Sequence, residues 1–101
     1  MTIELDPSNE FELALITIVQ MHRKKAAIYG TDEDHMQNFI DGGWMTNQTP
    51  LAYGEALMAK HQAAIRIWFQ RNVKSNKSTD DAFLDRAVYG VLQLINYRRQ
   101  R

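Results

Sequence analysis

Two long segments of this chain carry apolar residues at three- and four-residue steps, and no segment alternates apolar and polar residues over four or more positions. Leu51, Leu57, Met58, His61, Ala64, Ile65 and Trp68 form one such stripe, and Phe83, Leu84, Ala87, Val88, Val91, Leu92 and Ile95 form another. Steps of three and four belong to an α-helix, whereas a half-buried strand needs a period of two. A sheet protein is therefore excluded, and the expected fold class is all-α, a four-helix antiparallel bundle. At 101 residues, 45% hydrophobic and 24% charged, the chain suits one domain with one core. That single domain covers residues 1–101, with an N-terminal arm at 1–8 and a basic tail at 98–101.

Punctuation residues set the element boundaries. Pro7-Ser8-Asn9-Glu10 opens a first helix, with Asn9 and Glu12 in capping-box spacing. Its stripe is Phe11, Leu15, Ile18, Val19, His22 and Ala26, and it should run to about Tyr29 before Gly30 ends it. Thr31 then caps a short second helix with Asp32-Glu33-Asp34 in its first turn, and Gly42-Gly43 stops it. Residues 42–48 read as a loop anchored by Trp44. Thr49-Pro50, a cap followed by proline, starts a third helix over about 50–72. Asn72 to Ser78 is a polar linker, and the Ser78/Asp81 spacing launches a fourth helix over about 79–98.

Several classes fall away at once. There are no cysteines, so disulfide scaffolds, thiolate zinc sites and cysteine nucleophiles are excluded. His22, His35 and His61 lack zinc-site spacing. The apolar run that opens at Leu13 is broken by Thr17, so no membrane span is expected. Acids at Glu4 and Asp6 replace the basic start of a signal peptide, which makes the cytoplasm the expected compartment. No glycine-rich phosphate loop and no serine nucleophile elbow occurs.

The formal net charge is zero, yet its distribution is lopsided. Residues 1–58 hold nine acids and three bases, and residues 59–101 hold three acids and nine bases. Halves of opposite sign attract each other within a fold or across a homo-oligomer, or offer a basic face to an anion. Arg66, Arg71, Lys74 and Lys77 around Trp68 and Phe69 have the composition of a nucleic-acid patch. The preferred reading makes Trp68 a core residue and those bases a solvated helix end, so nucleic acid is not the expected partner.

A few polar residues stand where chemistry needs them. Asp81 and Asp85 are four apart and share a helix face, a carboxylate pair suited to Mg²⁺. Asp85 borders an apolar stripe and requires compensation, either by a metal or by a base, for which Lys60 is the best placed. Lys60 alternatively meets a phosphate as a point charge. Its neighbour His61 reads first as a hydrogen-bonded core residue. Tyr29, at a helix end, reads first as an anchor at the edge of the core.

The order Arg23…Tyr29-Gly30…Asn38…Thr49-Pro50…Leu57-Met58-Ala59-Lys60…Asp81…Leu84-Asp85…Ala87-Val88-Tyr89-Gly90 resembles a small phage and bacterial family of nucleotide-modification-associated domains. Those domains look like relatives of the all-α nucleoside triphosphate pyrophosphohydrolases, the MazG and dimeric dUTPase superfamily. The resemblance implies a phage-encoded, nucleotide-binding helical protein or a Mg²⁺-dependent pyrophosphohydrolase, assembled as a homodimer or larger oligomer. In that scheme Asp81 and Asp85 hold the metal, Lys60 neutralises phosphate, and Tyr29, Asn38 and Tyr89 contact the base or sugar. The superfamily's Glu-x-x-Glu element does not occur in this chain. The alternative reading is a non-enzymatic helical binding or inhibitor protein that acts on a partner.

Overall fold

The computed structural model describes residues 2–29, 34, 36–71, 74 and 76–100, without the Tyr29 side chain. It is all helical: α1 (Glu10–Tyr29), α2 (Gln37–Thr46), α3 (Pro50–Arg71) and α4 (Lys77–Gln100). None of these helices is long and apolar enough to cross a membrane. Gly30 and Thr31, expected to end the first helix and cap the second, lie outside the described residues.

The helix starts follow local hydrogen-bond chemistry. Asn9 caps α1, its Oδ1 accepting the Glu12 backbone N–H at 3.1 Å. The Glu12 carboxylate reaches further back than a capping box requires, to the Asp6 N–H at 3.2 Å. Thr49 caps α3 through the Ala52 N–H at 3.1 Å. The cap of α4 is Asn76, accepting the Thr79 N–H at 2.9 Å, so the helix starts at Lys77 and the Ser78/Asp81 spacing is not its signal. At the other end α4 continues to Gln100, and Arg98 and Arg99 form its last turn instead of a separate tail.

The second helix departs most from expectation. It begins at Gln37, with no acid in its first turn, and runs through Gly42 and Gly43 to Thr46. Asp34 precedes it, accepting the Met36 N–H at 2.8 Å and gripping the Arg99 guanidinium at 3.0 Å. The stop is Asn47, left-handed at φ 56°. The Gln48 N–H reaches the Gly43 carbonyl at 2.7 Å and the Asn47 N–H reaches Trp44 at 3.3 Å, which is the Schellman pattern. The glycines serve packing instead. A Cβ on Gly42 would run into the Tyr53 ring, and one on Gly43 would lie 2.7 Å from the Gln48 carbonyl oxygen. Trp44, expected to anchor a loop, stands on α2 with 83% of its surface exposed.

The α3–α4 pair is the centre of the molecule. Contacts run Leu51 with Gln93, His61 with Asp85, and Trp68 with Phe83, so rising numbers on α3 meet falling numbers on α4. The two helices are antiparallel. Met36 and Phe39 from the α2 end, Ile65 from α3, and Ala82 and Val88 from α4 are buried. So are two polar residues, Gln93 and Asn96. Gln93 donates to the Leu51 carbonyl at 2.8 Å and to Glu55 at 3.0 Å, and it accepts from Asn96 at 2.9 Å. Of the expected α4 stripe, Val88 is buried and Leu84, Ala87, Leu92 and Ile95 are half-buried, while Val91 faces out. Gly54 is the complement of this network, because a Cβ there would collide with the Gln93 amide.

Candidate functional site

A cavity of about 380 Å³ opens between the helices, and three of them build it by the same spacing. His22, Lys25 and Ala26 project from α1, Leu57, Lys60 and His61 from α3, and Asp85, Val88, Tyr89 and Leu92 from α4. Residues separated by three and four share one helical face, so each helix delivers its set together. Asn38 and Phe39 from the first turn of α2, with Tyr53 from α3, complete the lining.

Asp85 is the carboxylate of this cavity, and its side chain is 13% exposed. It accepts from Lys25 Nζ at 2.6 Å through Oδ1. Its Oδ2 lies 3.5 Å from His61 Nδ1. Lys60, the base expected to compensate Asp85, does not do so; the partner is Lys25, two helices further away in the chain. Lys60 is exposed at the cavity edge and, among the described residues, has no carboxylate in ion-pair range. Two lysines, Lys25 and Lys60, line the cavity with a single carboxylate, Asp85.

Its apolar side is aromatic. The Tyr89 ring sits 6.0 Å from Phe39 in an edge-to-face arrangement and 5.3 Å from the His61 ring. Tyr53 stands next to Gly42, whose missing Cβ makes room for the ring.

Four residues singled out in the sequence, Asn38, Lys60, Asp85 and Tyr89, thus line one cavity. Tyr29 belongs to α1, but its side chain lies outside the described residues. Asp81 does not line the cavity; it accepts from Lys77 Nζ at 3.0 Å one turn earlier, on the exposed side of α4. Each member of the expected Mg²⁺ pair therefore already holds a lysine ammonium. No group of three or more His, Asp or Glu among the described residues is arranged to hold a metal.

Sequence reasoning missed His22, Lys25 and Tyr53 as site residues. His22 followed three and four positions later by Lys25 and Ala26 was the available signal for the α1 contribution. Comparison with protein families, with curated proteins and with solved structures finds no match to this chain.

Proposed function

We propose that the chain binds a nucleotide in this cavity, with the phosphate at Lys60 and Lys25 and the base against the Tyr53, Tyr89 and Phe39 wall. The observation behind this reading is the lining itself: two lysines, two histidines, an amide and three aromatic rings around a single carboxylate. Ammonium and imidazole N–H groups suit a phosphate, and flat rings suit a base. The volume falls in the range of small-ligand pockets. The resemblance to nucleotide-modification-associated domains supports the same ligand class. Because both candidate metal carboxylates are neutralised by lysines, the proposal is for binding that needs no Mg²⁺, and no hydrolytic step is routed through a metal.

Thermal denaturation in EDTA tests it. A nucleoside monophosphate at about 100 times its Kd should stabilise the fold by about 2.7 kcal/mol, and the parent nucleoside by much less. No shift with nucleotide at millimolar concentration, or equal shifts with both compounds, overturns the proposal.

A further inference from the structure

The expectation that Trp68 joins the core while the bases around it stay solvated holds at the end of α3, with one exception. Trp68 is half-buried, its ring 6.3 Å from Phe83 of α4 in an edge-to-face arrangement. Phe69 does not follow it inward. It is 66% exposed, with its ring 4.9 Å from that of Trp68. On the α4 side the Arg86 guanidinium lies 5.0 Å over the Phe83 ring. Phe69, Trp68, Phe83 and Arg86 therefore form one continuous run of rings and cation that crosses from α3 to α4. None of the four lines the cavity.

Charge around this run is one-sided. From Ala56 to Thr79 the chain holds Lys60, Arg66, Arg71, Lys74 and Lys77 and no acid. Arg66 stands three residues before Phe69, on the same helix face. Arg71 is the last residue of α3 and Lys77 the first of α4, so positive charge gathers at this end of the helix pair. Asp81 holds Lys77, which leaves Asp80 as the remaining acid of the first α4 turn. Arg66, Arg71, Lys74 and Arg86 have no carboxylate in ion-pair range among the described residues.

We propose that this face binds a single-stranded polynucleotide, with a base stacked on Phe69 and the neighbouring phosphates on Arg66 and Arg86. An exposed ring beside unpaired cations is the platform on which unpaired bases stack while the backbone is followed electrostatically. A duplex keeps its bases stacked inside and leaves Phe69 idle. An acidic peptide would use the cations and leave the ring idle in the same way. The chain as a whole has no net charge, so the attraction is local and strongly dependent on salt. This site is separate from the nucleotide proposed for the cavity and does not depend on it.

Fluorescence anisotropy of labelled oligothymidylate and oligouridylate, titrated with the full chain at low salt, tests it. Binding of either strand, more tightly than a duplex of the same length, supports the proposal, and the tighter of the two identifies the sugar. Phe69→Ala, an uncharged change on an exposed ring, should weaken binding by about tenfold, and Phe69→Trp should retain it. Far-UV circular dichroism of both variants should stay helical. Arg66→Gln and Arg86→Gln should each reduce the slope of log affinity against log salt by about 0.7. A millimolar excess of nucleoside monophosphate should displace neither strand. No binding at low salt, equal affinity for the duplex, or displacement by the monophosphate overturns the proposal. So does binding that a helical Phe69→Ala leaves intact, or that polyglutamate displaces as well as an unlabelled strand does.

Discussion

Lys25 of α1 donates to Asp85 of α4 at 2.6 Å, and this bond ties the first helix to the last across the wall of the cavity. The two partners are unequally buried: the Lys25 side chain is 41% exposed and that of Asp85 13%. Asp85→Asn releases an ammonium that water reaches, at a cost of about 1 kcal/mol. Lys25→Met strands the buried carboxylate beside His61 and should cost about 2–3 kcal/mol. Urea melts of the two variants check the order. A larger loss for Asp85→Asn would contradict the geometry.

Gly42 and Gly54 both lie inside helices, where alanine is the better helix former by about 1 kcal/mol. Both replacements should nevertheless destabilise, by about 1–3 kcal/mol, because the added methyl meets the Tyr53 ring in one case and the Gln93 amide in the other. Thermal melts of Gly42→Ala and Gly54→Ala read the sign directly. Stabilisation in either would show that the neighbouring side chain moves aside freely.

Asn47 holds a left-handed conformation with φ 56°. Asn47→Gly should leave stability within about 0.5 kcal/mol, whereas Asn47→Val should cost about 1–2 kcal/mol by crowding its Cβ against the backbone. Denaturant midpoints of the two variants give the comparison.

Asp6 is fully exposed, and hydrogen bonds from the Ser8 hydroxyl at 2.7 Å and the Ser8 N–H at 2.9 Å hold its carboxyl below the usual carboxylate range. Both bonds favour the charged form. The turn they close is therefore complete above the ordinary carboxylate range and opens as pH falls through the lowered midpoint. An NMR titration should place the Asp6 midpoint below those of unbonded aspartates, and Ser8→Ala should move it back up.

Helix existence and type were legible in this sequence because Leu57, His61, Ile65 and Trp68 repeat at the helical period and Asn9 and Thr49 are strong caps. The end of α2 was not, since Gly42-Gly43 has the composition of a stop and only the tertiary approach of Tyr53 and Gln48 shows why the glycines are there. Lys60 and Asp85 were placed among the site residues from their position beside the apolar stripes, Asn38 and Tyr89 from the chain order, and all four line the cavity. The partner of Asp85 was not legible. Lys25 stands 60 residues away in the sequence, and choosing it over Lys60 needs the relative placement of α1 and α3, which periodicity does not carry. The burial of Gln93 and Asn96 was likewise not legible, because an apolar stripe does not report buried amides.

In the proposed anion site Lys60 attracts phosphate and Asp85 competes with it for Lys25. Isothermal titration of a nucleoside monophosphate in EDTA, into wild type, Lys60→Gln and Asp85→Asn, tests it most directly. The account predicts affinities moving in opposite directions: Lys60→Gln about tenfold weaker, and Asp85→Asn several-fold tighter because Lys25 is released to the ligand. Affinities that stay unchanged, or that both weaken, would contradict it.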